Sequence, residues 1–341
     1  MNRKFLPRSI SVIAFLVVIG CTLPRLRVTQ PTPTPIPVTP TETFAPLLPS
    51  AELGQPANPL ILALPPSATS QAEIDAANLI ATQLTERTGY TVVTVIPDSN
   101  AALVEAFQKG NANVALLDPY GYELAYQNES VKAVFAEVKD GNSLYGSQFL
   151  APRKAGFTPY FNPLNETNTI NDARLALAQF NDKKPCWSDE RSQSGYVIPL
   201  GYLNASDVKT KPAAFVEGHP TVVRSLYASG ICDFGATYID ARKFPSLEDQ
   251  FPDLIEQVIV IWRIPEIIPY NVLVFSSSMP PPMRDLFSNI IPVIMQTEAG
   301  SAAFKTVYDL DELQPANDGF YVEFRRYVEA SEIDLSALLK E

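Results

Sequence analysis

The stretch from Leu60 to Ile96, LILALPPSATSQAEIDAANLIATQLTERTGYTVVTVI, decides the fold class. Its apolar opening, residues 60–64, has the length of a buried strand. Ser70 then provides a helix N-cap, with a glutamate three residues later as in a capping box, and Gly89 is a typical helix stop. The β-branched run 91–96 predicts a second strand. Between cap and stop, apolar residues recur at helical spacing: Ile74, Ala77, Ile80, Ala81 and Leu84.

The alternation of strands and helices continues along the chain and then repeats. After the first helix we predict helices over 101–109, 120–126, 195–203 and 220–229, and strands over 114–117, 185–188, 214–217, 232–237, 258–262 and 272–275. Further helices follow to the end of the chain. Alternation of this kind is typical of crossover units. We therefore predict an α/β protein of two lobes, each a mainly parallel sheet with flanking helices.

Composition excludes several classes of function. The 341 residues, 46% of them hydrophobic, suffice for two lobes with real cores. A net charge of -11 argues against nucleic-acid binding, which needs a basic face. One histidine and three cysteines exclude metal sites built from several histidines or four thiolates. Neither a Walker sequence nor GxGxxG occurs, so we expect no nucleotide cofactor and no metal.

The N-terminus is predicted to be a targeting segment. A basic start precedes an apolar stretch, residues 10–20, that is too short to span a bilayer comfortably. It ends in Val18-Ile19-Gly20-Cys21, which resembles the bacterial lipobox. This resemblance implies a signal peptide over 1–20 and a lipid-anchored protein acylated on Cys21. An uncleaved anchor or an ordinary signal peptide are the alternatives, and each places the body outside the cytoplasm.

Residues 21–57 are predicted to be a threonine- and proline-rich tether. Eight prolines occur within 22–50, and such a sequence favours an extended conformation over a packed core. Once Cys21 is acylated, Cys186 and Cys232 remain. Both lie at the start of predicted strands in the same half of the chain, and in an oxidising compartment such a pair often forms a disulfide. The alternative is two small buried residues.

The strongest local indication of a binding site is the segment Ser192-Gln193-Ser194-Gly195-Tyr196-Val197-Ile198-Pro199. It follows a predicted strand and opens a predicted helix. Two hydroxyls and the backbone N–H groups near a glycine can donate hydrogen bonds to one oxyanion at such a position. The alternative is simple helix capping by a serine.

Several motifs, in order, resemble the phosphonate/phosphite/phosphate-binding proteins of ABC importers, the periplasmic phosphonate-binding family. The resemblance covers most of residues 58–300. It implies the two-lobed type II periplasmic-binding-protein fold. The motifs that carry it are Asp118-Pro119-Tyr120-Gly121-Tyr122, Ser192-Gln193-Ser194-Gly195-Tyr196, Gly218-His219, Asp233-Phe234-Gly235-Ala236 and Ile261-Trp262-Arg263-Ile264-Pro265.

The resemblance assigns roles to individual residues. Ser192 and Ser194 would bind the oxyanion, together with backbone N–H groups near Gly195. His219 would donate a further hydrogen bond at the start of its helix. Tyr122 would close over the ligand from the first lobe.

The chain also departs from the family pattern. Gln193 stands in place of a threonine, Asn100 in place of a tyrosine and Asp118 in place of a glycine. Asp240 lies near a position where binders of aminoalkylphosphonates carry an acid, and Asn271 lies near another but is neutral. The resemblance therefore leaves phosphonate, phosphite and phosphate open as ligands.

The resemblance implies a lipoprotein that captures a small phosphorus oxyanion by lobe closure and delivers it to an ABC permease with its ATPase. We expect a monomer with no catalytic activity and no cofactor. The first lobe would comprise residues 58–150, the second 151–264, and residues 265–341 would return to the first lobe and end in helices. The hinge would lie near 151–154 and 263–269.

Two other functions stay open at this stage. The first is a cell-surface phosphoester hydrolase, with Ser192 or Ser194 as nucleophile and His219 as base. The second is a ligand sensor with the same two-lobed body.

Overall fold

Two main β-sheets with flanking helices make up residues 52–339, the part of the chain that the computed structural model describes. The strands, in chain order, are β1 Leu60–Ala63, β2 Val92–Val95, β3 Val114–Leu117, β4 Val131–Val138, β5 Leu144–Pro152, β6 Phe161–Asn162, β7 Thr167–Asn168, β8 Pro185–Trp187, β9 Ala214–Phe215, β10 Phe234–Tyr238, β11 Val258–Pro269, β12 Val272–Ser276 and β13 Glu312–Pro315. The helices are α1 Gln71–Thr88, α2 Asn100–Gln108, α3 Pro119–Gln127, α4 Ala173–Leu177, α5 Ile198–Ala205, α6 His219–Ala228, α7 Pro245–Gln250, α8 Leu254–Gln257, α9 Pro281–Met295, α10 Glu298–Tyr308, α11 Val322–Ala330 and α12 Leu335–Leu338. The predicted signal peptide, Cys21 and most of the predicted tether lie outside the described residues.

The first helix forms as its sequence predicts. The Ser70 hydroxyl accepts from the backbone N–H of Glu73, and the Glu73 carboxylate accepts from the N–H of Ser70, which completes the capping box. Gly89 ends the helix in the left-handed conformation, with φ of 76°. The apolar stripe of α1 packs on the first sheet together with α9 and α10.

Both sheets combine a parallel core with strands that arrive from the other sheet. Within residues 52–339 the first has the order β13-β4-β12-β3-β1-β2 and the second β11-β5-β10-β8-β9. Pairs joined by crossover helices, such as β1 with β2 and with β3 or β8 with β10, are parallel. In contrast, β5 and β12 enter from the opposite sheet and lie antiparallel to both neighbours. The α/β class and the two lobes are confirmed. The sheets are mixed, not mainly parallel, because β5 and β12 come from the other sheet and so need no crossover helix to reach their neighbours.

The lobes meet at two short segments. The chain passes from β4 to β5 through residues 139–143 and from β11 to β12 through residues 270–271. The boundaries expected at 150/151 and 264/265 therefore fall inside β5 and β11, which pair with each other in the second sheet. We name the lobes by their sheets: strands of the first lobe lie within 60–138 and 272–315, strands of the second lie within 144–269, and residues 139–143 and 270–271 cross between them.

A disulfide supports the second sheet. It joins Cys186 on β8 to Cys232 just before β10, with Cα atoms 5.6 Å apart. Both residues are buried against α6, so they also fill the core. Across residues 52–339 we find no helix with the length and apolar character to cross a bilayer.

Candidate ligand-binding site

Ser192 lies in the loop between β8 and α5, where it caps the turn that opens the helix. Its Oγ accepts the N–H of Gly195 at 2.9 Å. A single π-type turn, residues 193–197, then leads into α5. Capping uses only the acceptor capacity of the hydroxyl, so its hydrogen remains able to donate to an oxyanion.

Gly195 lets this turn lie directly on the end of β8. A Cβ at this position would collide with the hydroxyl of Ser188 and lie 2.8 Å from the Oγ of Ser192. Ser188 is completely buried, and among the described residues its Oγ has no hydrogen-bond partner. Glycine at this position therefore permits Ser188 and Ser192 to converge at this strand end.

His219 begins α6 directly beside the serine loop. Its Nε2 lies 3.4 Å from the Oγ of Ser192, and its Nδ1 accepts the N–H of Tyr238 at 3.4 Å. Burial lowers the pKa of His219 to about 4, although the charge of Asp189 acts in the opposite sense. The imidazole is therefore neutral at pH 7, and because Nδ1 accepts, its proton lies on Nε2 towards Ser192. The expected proximity of Ser192 and His219 is present.

Gln193 and Ser194, the next two residues of the loop, accept hydrogen bonds from β5. The side-chain oxygen of Gln193 accepts from the Tyr145 hydroxyl at 3.2 Å. The backbone carbonyl of Ser194 accepts from Ser147 at 2.7 Å. Tyr145 in turn stacks on Tyr270 of the second crossing segment, with ring centroids 5.0 Å apart. Sequence reasoning missed Tyr145 because it predicted no strand at β5.

Three predicted residues of the first lobe line one cavity. Asn100, Asp118 and Asn271 share a hollow of ≈ 390 Å³ with Ser67. Asp118 follows β3, and its Oδ1 caps α3 by accepting the N–H of Gly121 at 2.8 Å. Burial raises the pKa of this carboxyl, while its cap hydrogen bonds and the charge of Arg191 from the second lobe lower it. The charge of one second-lobe residue, Arg191, is therefore felt at Asp118.

The structure does not bring Tyr122 to this cleft, which corrects the role expected for it. Tyr122 is completely buried, its hydroxyl donates to the Oδ1 of Asp318 at 2.8 Å, and its ring packs on Tyr321. Residues two apart in a helix lie about 200° apart around its axis. Tyr120 therefore occupies the other side of α3.

Tyr120 has the properties expected of a contact residue in the cleft. It is 5% exposed, and within the described part of the chain its hydroxyl has no hydrogen-bond partner. Burial raises the pKa of this hydroxyl, and the charges of Tyr145, Asp118 and Asp189 act in the same sense. A buried hydroxyl without a partner is costly unless a ligand or water completes it.

Asp240 is not available to a ligand amine, which corrects a second expectation. Its carboxylate binds Arg242 through Nη2 at 2.6 Å and Nε at 2.9 Å, and accepts from Gln148 at 2.7 Å. Burial acts to raise the pKa of Asp240, but the Arg242 hydrogen bonds outweigh it and the pKa is lowered. The side chain is thus a structural ion pair behind the site. Residues 52–339 contain no group of three or more potential metal ligands.

Comparison with protein families identifies the chain. Residues 62–321 match the family described as ABC transporter, phosphonate, periplasmic substrate-binding protein. The chain belongs to this family. It is accordingly an extracytoplasmic substrate-binding component whose partners are a small-molecule ligand and the permease and ATPase of an ABC transporter.

Several solved structures are similar to this chain at low sequence identity. XAC2383 of Xanthomonas citri, determined with chloride and with ATP, is 13% identical, with a TM-score of 0.55 over 80% of this chain and 97% and 96% of the other. A phosphonate-transporter binding component from Pseudomonas aeruginosa is 15% identical (TM-score 0.45, 80% of this chain and 86% of the other). PhnD1 of Prochlorococcus marinus with methylphosphonate is also 15% identical (TM-score 0.46, 79% and 97%). The comparison with curated proteins found no match.

Proposed function

We propose that this protein captures a small phosphorus oxyanion, a phosphonate, phosphite or phosphate, between its lobes and releases it to an ABC importer. The observation that carries the proposal is the pairing of Ser192 with His219 at the end of β8, 3.4 Å apart. Both groups are neutral at pH 7, and because the Nε2 hydrogen of His219 points to the Ser192 oxygen, the serine hydroxyl keeps its own hydrogen to donate. Neutral donors of this kind suit a ligand that brings its own negative charge.

The energetics of such a site are favourable despite the acidic protein. Hydrogen bonds to a charged group contribute roughly 1.5–3 kcal/mol each, so a few convergent donors suffice for strong binding. Long-range repulsion from the net charge of -11 is screened over about 8–10 Å in physiological salt. Local donors therefore outweigh the overall charge.

Capture would proceed by closure about the two crossing segments. Glu137, which is buried at the end of β4, accepts the N–H of Asn271 at 3.0 Å and donates its own N–H to the Asn271 carbonyl at 2.9 Å. This reciprocal pair holds one crossing segment while Asn271 lines the first-lobe cavity. Bending at the hinge would therefore be coupled to the position of a cavity residue.

The lipid anchor remains part of the proposal. The sequence Val18-Ile19-Gly20-Cys21 and the proline-rich residues that follow support a lipoprotein whose body is tethered near the permease. Mass spectrometry of the mature N-terminus tests this point, because acylation of Cys21 adds a defined lipid mass.

The hydrolase alternative is disfavoured by the state of His219. A general base that activates a serine is oriented by an acceptor on its second nitrogen, whereas Nδ1 of His219 itself accepts a backbone N–H. A pKa of about 4 also makes this imidazole a weak base at neutral pH. Binding without bond cleavage fits these properties better.

The decisive experiment is calorimetry and thermal denaturation of the purified full-length protein with methylphosphonate, phosphite, phosphate, sulfate and ATP. We expect saturable binding of a phosphorus oxyanion, and stabilisation of about 2.7 kcal/mol at one hundred times the dissociation constant. Ser192→Ala and His219→Ala should abolish this gain. Ser70→Ala is the matched control, because it also removes an N-cap hydroxyl but lies on α1.

Each other outcome has a defined meaning. If no phosphorus oxyanion stabilises the wild-type protein, the proposal fails. If binding survives both site substitutions, the site is misplaced. Release of product from a generic phosphoester, lost in Ser192→Ala, would instead support the hydrolase.

A further inference from the structure

The residues that follow β13 form a C-terminal strap, defined here as residues 316–339. The strap starts beside β4, where the N–H of Ala316 donates to the carbonyl of Val134 at 2.9 Å. The family match ends at residue 321, so α11 and α12 lie beyond the part of the chain that the family shares. These helices nevertheless contact both lobes.

The strap is attached to the first lobe through α3. Asp318 accepts from the Tyr122 hydroxyl at 2.8 Å and from the N–H of Ala133 at 3.1 Å. The guanidinium of Arg325 pairs with the buried carboxylate of Glu123 at 2.5 Å and lies over the ring of Tyr126, 3.8 Å from its centroid. Paired, buried charges of this kind are costly to separate.

The same helix is attached to the second lobe through α5. Gly201 allows the approach, because a Cβ there would collide with the backbone carbonyl of Tyr327. The rings of Tyr202 and Tyr327 stack with centroids 3.6 Å apart and planes 9° from parallel. Asn204 donates from Nδ2 to the carbonyl of Ala330 at 2.9 Å. The backbones of α5 and α11 thus approach each other closely at Gly201.

Both helices held by the strap begin at the candidate site. α3 starts immediately after Asp118, and α5 starts immediately after the loop that carries Ser192. The end of the strap also faces that loop across a groove of ≈ 980 Å³, with Ile333 and Leu338 on one side and Asp189 and Tyr196 on the other. A movement that separates α3 from α5 must therefore break one of the strap's two attachments.

We propose that the C-terminal strap is a third connection between the lobes, and that Arg325 and Tyr327 are positioning residues for ligand capture. The strap limits how far the lobes open, so less free energy is spent on closure when the ligand binds. As a claim about ligand affinity, this inference rests on the proposed function. As a claim about lobe opening, it does not.

The test combines Tyr327→Ala with small-angle X-ray scattering of the full-length protein without ligand. The substitution removes the stacking on Tyr202 but touches neither Ser192 nor His219. We expect a larger radius of gyration that returns to the wild-type value at saturating methylphosphonate. Affinity for methylphosphonate should fall about tenfold, the change produced when the closure-competent population falls by that factor. Glu323→Gln is the control, because this carboxylate is exposed on the same helix.

The outcomes separate the strap from the proposed function. An unchanged radius of gyration in Tyr327→Ala overturns the strap, whatever the protein binds. If that variant is unfolded by circular dichroism, Asn204→Ala, which removes the hydrogen bonds to the carbonyls of Ala330 and Ser331, must open the lobes in the same direction or the inference fails. If no phosphorus oxyanion binds the wild-type protein, the proposed function fails while the scattering result still decides the role of the strap.

Discussion

Two tyrosines on one helix allow a sharp test of the site. Tyr122→Phe removes a hydroxyl that donates to Asp318 at 2.8 Å. A hydrogen bond to a charged group contributes roughly 1.5–3 kcal/mol, and we expect the lower end, because Asp318 keeps the bond from Ala133. A loss of about 1.5 kcal/mol lowers the melting temperature by about 2–3 °C, given an entropy of unfolding of about 2.1 cal/mol/K per residue. Ligand affinity should stay nearly unchanged.

Tyr120→Phe should give the opposite pattern. This hydroxyl has no hydrogen-bond partner among the described residues, so its removal leaves the free energy of unfolding unchanged or raises it. If the hydroxyl donates to the oxyanion, its loss costs roughly 1.5–3 kcal/mol of binding, which weakens affinity roughly 10- to 150-fold. Calorimetry with methylphosphonate and thermal denaturation measure both quantities on the same samples.

Tyr321→Phe is the matched control for this pair. Its hydroxyl is also buried and also lacks a partner among residues 52–339, but its ring packs on Tyr122, the residue that the structure places away from the site. We expect no change in affinity. The reasoning is refuted if Tyr122→Phe weakens binding without a change in melting temperature while Tyr120→Phe binds like the wild type.

Three further measurements address the second lobe. Gly195→Ala should destabilise the protein by about 1–3 kcal/mol, because the new methyl group would collide with the Ser188 hydroxyl. It should also weaken methylphosphonate binding. A variant with wild-type stability and wild-type affinity would contradict the packing described. The pKa of His219 is lowered from 6.5 to about 4, so its neutral form stabilises the fold above pH 6.5 and this contribution is lost as the pH falls towards 4. Urea denaturation measures the free energy of unfolding of the wild type and of His219→Gln between pH 6.5 and 4. Over this range the wild type should lose up to about 3 kcal/mol more than the variant. Equal losses in the two proteins would exclude the effect. Reduction of the Cys186–Cys232 disulfide, which spans 46 residues, should cost about 2–4 kcal/mol, and a Cys186→Ala/Cys232→Ala variant should not respond to the reductant.

Features encoded by neighbouring residues could be predicted from the sequence. The capping box at Ser70, the stop at Gly89 and the serine turn before α5 all depend on hydrogen bonds within a few residues. The strand–helix alternation likewise predicted the α/β class, since crossover helices pack on the sheet that they connect. Asn100, Asp118 and Asn271 come together for a related reason, because each lies at the end or start of an element on one edge of the first sheet.

Features set by distant contacts could not be predicted. Residues 131–152 form β4 and β5, and no helix lies between these strands. The strand–helix alternation that predicted the other strands therefore gave no prediction for them. The side of α3 that faces the site could not be predicted either. It is fixed partly by the hydrogen bond from Tyr122 to Asp318, which lies 196 residues away in the sequence. The segment Asp118-Pro119-Tyr120-Gly121-Tyr122 contains both tyrosines and does not indicate which side of the helix faces the site.

Gly201 shows most clearly why a local site can depend on non-local structure. A glycine inside a predicted helix costs about 1 kcal/mol relative to alanine, which suggests a packing reason but names no partner. The partner is the backbone of Tyr327, more than a hundred residues later and beyond the range matched by the family. The serine loop that precedes α5 could therefore be found from sequence, whereas the element that fixes how α5 lies against the first lobe could not. Short motifs thus indicate the residues of the candidate site, whereas the packing of α5 on α11 depends on contacts that only the folded chain creates.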